Sequence, residues 1–189
     1  MNTLQAVEIE QAREYFRRTQ ERVVEVTKGL SEAQWKFKPA PDRWSIAQNL
    51  EHMVIVQERV LGRLQDQLAQ APPPAAGVDA RAIDAIVLEK IPDRSIKAKA
   101  PDVLEPRGQW APRSTLERLF KNYQCLAGFV ESTPDVREHV LEAPPLKIVT
   151  NGAYTAMDGY QWALTAAAHD ERHVEVLVVD QVSLLPQPV

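Results

Sequence analysis

The fold class is decided by residues 45–68, SIAQNLEHMVIVQERVLGRLQDQL, which describe one long amphipathic helix from end to end. The helix opens with a capping box, Ser45-Ile46-Ala47-Gln48, in which the serine oxygen and the glutamine side chain each satisfy a free backbone amide. Apolar residues then recur every three or four positions, which predicts one buried face. These residues are Ile46, Leu50, Met53, Val60, Leu64 and Leu68.

Three other long segments show the same helical periodicity. The first helix is predicted from Ile9 to about Leu30. The third is predicted from Ser114, where a second capping box (Ser114-Thr115-Leu116-Glu117) stands, to Pro134. A polar, proline-containing loop then leads to the fourth helix, which is predicted from near Thr155 to about Val182.

The connection between the second and third helices is long and rich in proline. A proline run at residues 72–74 ends the second helix, and a short extra helix is predicted from about Asp79 to Ile91. Residues 92–113 are predicted to be irregular because prolines recur through them, and no run of alternating residues predicts a sheet. We therefore predict an all-α four-helix bundle with one long crossover, forming a single domain over residues 1–189.

Composition restricts the possible partners. The chain has 189 residues and a formal net charge of -4, and it lacks the basic character that binding to a phosphate backbone requires. No stretch approaches the roughly 20 apolar residues that span a bilayer, and acidic residues interrupt residues 1–30, where a signal peptide would be apolar. We expect no nucleic-acid partner and no membrane insertion, and we predict a cytoplasmic protein. The single cysteine, Cys125, suits a reducing compartment, and its apolar helix predicts a small core residue.

His169 and His173 form an i, i+4 pair on the fourth predicted helix. Both imidazoles therefore project from one helix face with attachment points about 6 Å apart, a spacing that can chelate one ion. The pair lies on a seam with Trp162, Ala166 and Val176 that we predict to face the bundle interior. Histidine is an unusual choice at such positions unless it has a partner.

A third histidine, His52, lies in the first turns of the second helix, where a bundle would bring it to the fourth. We predict that His52, His169 and His173 bind one divalent metal ion. Gln48 and Asn49, one turn before His52, form a small polar patch that is expected to orient His52 or a ligand of the metal.

Six further residues have a functional interpretation beside an ordinary structural one. Thr165 and Glu171 are weaker candidates for orienting the metal ligands. His139 is interpreted as an exposed or capping histidine, and Trp44 and Trp162 as packing residues rather than pocket walls. Arg172 points away from the two neighbouring histidines by helix geometry, which favours a surface or partner contact.

Four stretches together resemble the DinB-like, or DinB/YfiT-like, superfamily of metal-dependent enzymes. They are residues 35–39 (WKFKP), residues 44–52 (WSIAQNLEH), residues 99–101 (KAP) leading to Pro106, and residues 169–173 (HDERH). They occur in the family's order and span essentially the whole chain. The resemblance implies an up-down-down-up bundle. It also implies a divalent metal, often nickel or zinc, held by His52, His169 and His173 without a fourth protein ligand.

The resemblance further implies a class of reaction. Members with known activity include thiol S-transferases that use bacillithiol or mycothiol, and a mycothiol-dependent maleylpyruvate isomerase. Their shared chemistry would bind a small thiol as its thiolate and present it to an electrophile. We therefore expect a small-molecule substrate, with a low-molecular-weight thiol as one reactant.

Two alternatives stay open from the sequence. One is hydrolysis by metal-activated water, oriented by Gln48, Asn49 or Glu171, which would need no added thiol. The other is a non-catalytic module in which the metal joins two helices or the pocket stores a ligand. Three imidazoles suit zinc, nickel, copper and iron alike, so the metal is also open. The oligomeric state is open too, with a homodimer as one alternative, because small bundles commonly dimerise through helix faces.

Overall fold

A computed structural model of the chain describes residues 4–96 and 99–181, and these residues are mostly helical. The helices are α1 (Ala6–Thr27), α2 (Glu32–Lys36), α3 (Ile46–Gln67), α4 (Ala80–Lys90), α5 (Pro112–Ser132), α6 (Pro144–Val149) and α7 (Gly159–Val176). Single turns of 3-10 helix lie at Leu68–Gln70 and Asp102–Leu104, and a π-helical turn at Leu177–Gln181 follows α7. Two short strands, β1 (Val140–Glu142) and β2 (Ala156–Asp158), pair antiparallel.

The helix that opens at Ser45 forms as its sequence predicts. The Ser45 hydroxyl oxygen accepts a hydrogen bond from the Gln48 amide at 3.2 Å, and Gln48 Oε1 accepts one from the Ser45 amide at 3.0 Å. The extra helix of the crossover is confirmed as α4, where the Asp79 carboxylate accepts hydrogen bonds from the amides of Arg81 and Ala82. The prediction of a mainly helical fold is therefore confirmed.

Three predicted helix starts are wrong. α1 begins at Ala6 and not at Ile9, because Gln5 and Glu8 form a capping box before the first apolar repeat. α5 begins at Pro112 and not at the Ser114 capping box, because the fixed φ and missing amide of proline suit the first helical position. α7 begins at Gly159 and not near Thr155, because Asp158 caps the helix and belongs to β2. The predicted end near Val182 lies outside the described residues, which continue the helical path to Gln181.

The two-stranded sheet, α2 and α6 were not predicted, and α6 lies in the stretch that was predicted as the polar loop before the fourth helix. The sheet pairs Val140 with Asp158 and Leu141 with Met157. Strands of three residues are too short to show alternation, and their pairing is set by chain segments that are not adjacent in sequence. α2 occupies a stretch predicted as a loop, because Ser31 caps a new helix there after α1 has ended.

The long helices α1, α3, α5 and α7 surround a common core. α3 packs against α5 and α7, α1 packs against the same two helices, and α4 covers α7. The interior of α7 carries small residues, since Ala163, Ala166 and Ala167 are each 0% exposed. Among the described residues, no helix combines the length and the apolar character that crossing a bilayer requires.

A buried charge cluster around Arg137 ties three elements together. The Arg137 side chain is 4% exposed, and its guanidinium donates to Glu8 of α1 at 3.0 Å, to Asp84 of α4 at 2.7 Å and to Asp158 at 2.8 Å. Asp158 also caps α7, because its carboxylate accepts a hydrogen bond from the Gln161 amide at 2.8 Å. Three carboxylates therefore share one buried guanidinium.

The burial of Asp158 makes the stability of this cluster depend on pH. Burial raises the pKa of Asp158 to about 6, well above its ordinary value, so the folded protein binds this proton more tightly than the unfolded chain does. The contribution of Asp158 to the free energy of unfolding therefore rises as the pH falls through 6. Between pH 7.5 and pH 5 we expect the free energy of unfolding of the parent to gain about 1 kcal/mol relative to Asp158→Asn.

Urea unfolding of both proteins at the two pH values measures this difference. Asparagine keeps an oxygen that can cap α7 and cannot titrate, so titrating groups that do not interact with Asp158 cancel between the two proteins. A pH-independent difference between parent and variant would contradict the prediction.

Candidate metal centre

The structure brings the three predicted metal ligands together. His52 lies in the second turn of α3, and His169 and His173 lie on consecutive turns of α7. One ring nitrogen from each lies within 4.8 Å of the other two, and His52 is only 3% exposed. Within residues 4–96 and 99–181, no carboxylate or cysteine joins this group, so the donor set is three imidazole nitrogens.

The crossover orients His52. Its Nδ1 lies 2.8 Å from the carbonyl oxygen of Leu104, at the end of the 3-10 turn Asp102–Leu104. A carbonyl oxygen only accepts, so Nδ1 carries the proton and Nε2 keeps a free lone pair. That Nε2 lies 3.1 Å from Nε2 of His169, close to the separation of about 3.3 Å between two nitrogens that bind one tetrahedral zinc ion.

Asn49 orients His173 in the same way. The Nδ1 atom of His173 lies 3.2 Å from Asn49 Oδ1, and Asn49 Nδ2 donates to the Ser45 carbonyl at 3.0 Å. The second contact determines which end of the amide is oxygen, so Nδ1 of His173 is the donor and Nε2 is free. One turn of α3 thus supplies both a candidate ligand and the residue that orients another.

His169 borders a buried polar network. Its Nδ1 lies 3.5 Å from Oδ1 of Asp170, and Oδ2 of Asp170 accepts hydrogen bonds from Gln57 at 2.6 Å and from Tyr123 at 2.8 Å. Asp170 is 0% exposed, and burial raises the pKa of its carboxyl to about 8. This network joins α3, α5 and α7 directly behind the histidine cluster.

Burial keeps all three histidines neutral. Desolvation is the largest cause in each case, and it lowers the pKa of His52 and of His169 to about 4 and that of His173 well below its ordinary value. Neighbouring rings further lower the pKa of His52 and of His173, and the Arg172 guanidinium further lowers that of His169, because positive charges so close together repel. Neutral imidazole is the form that binds a metal, so the cluster needs no deprotonation at pH 7 to do so.

The predicted seam on α7 is displaced slightly from the real core. Trp162 and Ala166 are buried as predicted, but further along the fully enclosed positions are Asp170 and Val174, each 0% exposed. The two histidines therefore lie at the edge of the core, facing α3 and the crossover.

Trp44 and Trp162 have different surroundings. The Trp44 ring lies with its centroid 4.8 Å from that of His52 and 6.4 Å from that of His173, and it is nearly parallel to the His173 ring. Trp44 is therefore a wall of the cluster, a role that sequence analysis ranked below packing. Trp162 packs under the guanidinium of Arg63, as its packing interpretation predicts.

Of the predicted orienting residues, only Asn49 contacts a histidine of the cluster. The side chain of Gln48 is engaged in capping α3. Glu171 accepts hydrogen bonds from Tyr15 at 2.7 Å and from Arg22 at 3.4 Å, both on α1, because a residue two positions from His169 projects from the opposite helix face. Thr165 lies on α7 one turn before His169, and its hydroxyl donates a hydrogen bond to the Met157 sulfur instead of contacting the cluster. Gln48, Thr165 and Glu171 thus serve the fold.

Three other predictions have clear outcomes. Arg172 makes structural contacts, since it donates to the carbonyl oxygens of Asp93 and Ile96 in the crossover. His139 lies 2.6 Å from the Ala71 carbonyl oxygen, which fits the predicted capping role. Cys125 was predicted to be a core residue and is exposed, because α5 turns that face to the outside.

Two parts of the site, both in or against the crossover, were not predicted from the sequence. One is the Leu104 carbonyl, which no side-chain pattern identifies because it is a backbone group. The other is Glu51, which is 2% exposed and accepts hydrogen bonds from three backbone amides of the crossover. A glutamate directly before His52 within an apolar helix was a signal that could have indicated a buried role.

The residues present fit a divalent metal ion. Three neutral nitrogen donors converge, two of them have their second nitrogen bonded to an oxygen, and the described residues supply no fourth ligand. Three protein ligands with oriented rings are typical of catalytic zinc sites, which keep one position open. Structural zinc sites are closed by a fourth protein ligand.

The fold and the cluster define a class: mainly helical proteins in which three histidines from two helices can hold a metal. The chain belongs to the DinB superfamily, whose family model matches residues 15–177. All three histidines lie within this matched range. It is similar to the uncharacterized protein YuaE of Bacillus subtilis (strain 168), with 27% identity over 149 residues that cover 78% of this chain and 83% of YuaE. No solved structure gives a significant match.

Proposed function

We propose that this protein is a metal-dependent enzyme that transfers a low-molecular-weight thiol, of the bacillithiol or mycothiol type, to an electrophile. His52, His169 and His173 would hold a divalent ion, with zinc and nickel as the first candidates. The bound metal would supply positive charge that favours a thiolate over a thiol near neutral pH. The substrates would be small molecules, as the family resemblance implies.

The observation that carries the proposal is a donor set without negative charge. Three neutral imidazoles leave the full charge of a divalent ion uncompensated, and the described residues place no carboxylate among the ligand atoms. An anionic ligand from solution is therefore favoured at the open position, and a thiolate suits both zinc and nickel. The protein's own groups act by orientation: Leu104 and Asn49 hold two rings, and Trp44 shields them from water on one side.

The two alternatives have less support. Hydrolysis needs a group that orients or deprotonates water, and the candidates Gln48 and Glu171 are engaged elsewhere while Asn49 holds His173. A purely structural metal is disfavoured because the three histidines have no fourth protein partner in the described residues.

A thiol requirement separates these functions. Protein loaded with zinc or nickel is incubated with an alkylating electrophile and with bacillithiol, mycothiol or other small thiols, and conjugate formation is compared with the uncatalysed rate. We expect turnover that needs both metal and thiol, that is lost in His173→Ala and that persists in His139→Ala. Hydrolysis without added thiol would favour the hydrolase alternative. No turnover with any thiol at full metal occupancy would contradict the transferase.

We also infer that the four long helices run up-down-down-up, as the family resemblance implies. Contacts near both ends of the helices support it, because early residues of α1 meet early residues of α7, whereas early residues of α3 meet late residues of α7. α1 and α5 likewise meet in opposite order. The pairs are Glu8 with Tyr160, Arg22 with Glu175, Asn49 with His173, Arg63 with Trp162, Arg13 with Glu131, and Phe16 with Tyr123.

A further inference from the structure

The side chain of Glu51 anchors the backbone of the crossover. Both carboxylate oxygens accept hydrogen bonds, from the amides of Arg107 at 3.0 Å, Gly108 at 2.8 Å and Gln109 at 3.1 Å. The side chain is buried, and within the described ranges no lysine or arginine forms a salt bridge with it. Three charge-assisted hydrogen bonds therefore compensate a carboxylate that burial would otherwise penalise.

The conformation of Gly108 allows this arrangement. Its φ is +72, in the left-handed region that favours glycine, and successive amides beside such a residue can converge on one anion. A Cβ added at Gly108 would meet nothing within 4 Å, so the glycine answers a backbone requirement and not a lack of space. Residues 107–109 are thus shaped to wrap the Glu51 carboxylate.

The same stretch of crossover also reaches the metal cluster. Leu104, three residues before Arg107, accepts the hydrogen bond of His52 Nδ1 at 2.8 Å, and the buried Pro106 stiffens the link between them. Adjacent residues of α3, Glu51 and His52, therefore hold the two ends of one short segment, residues 104–109. Residues 107–109 are therefore the polar anchor of the segment that carries the Leu104 carbonyl against His52.

We propose that Glu51 is a positioning residue, which anchors residues 104–109 so that the Leu104 carbonyl selects the His52 tautomer whose Nε2 is free to bind the metal. The proposal rests on the metal site assigned above. Glu51 touches neither metal nor substrate and acts only through the crossover and His52.

Glu51→Gln tests the proposal. Glutamine keeps the size of the side chain but turns one acceptor oxygen into a donor that faces backbone N–H groups, so the three-amide contact breaks. We expect the metal dissociation constant to rise by about 10–100-fold, as is typical when a group that orients a ligand is lost. We also expect nitrogen chemical shifts of His52 in the metal-free protein to move from one Nδ1–H tautomer toward a mixture.

Glu58→Gln is the matched control. Glu58 lies on the same helix, and its carboxylate pairs with Arg118 of α5 at 2.7 Å without touching the crossover. We expect this variant to keep the parent's metal affinity and its His52 tautomer. A folded Glu51→Gln variant with the parent's tautomer and metal affinity would overturn the proposal.

A second pair of variants covers the case in which Glu51→Gln does not fold. Gly108→Ala disturbs the same amides through its positive φ and removes no charge, and it should shift the His52 tautomer in the same direction. Gly77→Ala is its control, because Gly77 has a φ of +80, equally open surroundings and a place outside residues 104–109. An unchanged tautomer in Gly108→Ala would then overturn the proposal.

The tautomer measurement also separates this proposal from the proposed function. It uses metal-free protein, so it reports on Glu51 whether or not a metal binds. A parent protein that binds no divalent metal would contradict the proposed function. A His52 tautomer that does not depend on Glu51 would contradict only the positioning role.

Discussion

Arg137→Met is expected to lower the free energy of unfolding by about 3–5 kcal/mol, which is the typical effect of removing one partner of a buried ion pair. Methionine keeps much of the length of the side chain but removes the guanidinium that contacts Glu8, Asp84 and Asp158 together. Those carboxylates would then repel one another in a poorly solvated site. The loss would reach α1, α4 and α7 at once, because each supplies or borders one of the carboxylates.

Urea denaturation followed by circular dichroism measures this effect at pH 7.5. Arg113→Met is the control, since Arg113 pairs with Glu117 on the surface of α5 and its side chain is 91% exposed. We expect the control to change stability by less than about 1 kcal/mol. A loss below 1 kcal/mol in Arg137→Met would show that the carboxylates take up protons or rearrange at little cost.

His169→Ala is expected to abolish stoichiometric binding of zinc or nickel. His169 is one corner of a nearly equilateral triangle of rings, with centroids 4.9 Å apart for His52 and His169, 4.6 Å for His169 and His173, and 4.8 Å for His52 and His173. Its removal leaves two imidazoles and no protein replacement among the described residues. We expect affinity to fall by more than about 100-fold, because loss of a ligand exceeds the effect of losing a group that orients one.

Elemental analysis after purification, with a chelator competition assay, measures this loss. His139→Ala is the control, because His139 contacts the Ala71 carbonyl and is not part of the cluster. It should keep one metal per chain if the parent binds one. Stoichiometric metal in His169→Ala would place the binding site elsewhere.

Much of the helical framework could be predicted from local pattern. The Ser45 cap and the apolar repeat of α3 act over a few residues, so the sequence contains the whole signal. The same holds for α4, which begins after Asp79 as predicted. The prediction is weaker at ends that depend on contacts with other segments, such as the start of α7, where Asp158 joins a strand to a helix.

The exposed position of Cys125 shows a different limit. An apolar neighbourhood in sequence indicates that a helix is buried on one face, but it does not locate that face to within one residue. The packing of α5 against α1 and α3 turns Cys125 outward while the next residue, Leu126, is 0% exposed. A difference of one position in register therefore separates a core residue from an exposed one.

In the histidine cluster, too, some features follow from local sequence and others from tertiary packing. His169 and His173 are brought together by the i, i+4 spacing of a single helix, and that spacing is a local property readable from the sequence. The meeting of His52 with them spans 117 residues and depends on how α3 packs against α7. The roles of Leu104, Asn49 and Glu51 also depend on packing, because their contacts join backbone and side chains that are distant in sequence.

The sequence by itself therefore determined the helical class, the family and the identity of three histidines that can bind a metal. Only the tertiary structure decided which ring nitrogen of His52 and His173 is free, and that Glu51 holds the crossover beside them. The physical reason is that residue types and helical periodicity are local properties. Hydrogen-bond partners across a fold are chosen by packing, which no single segment contains.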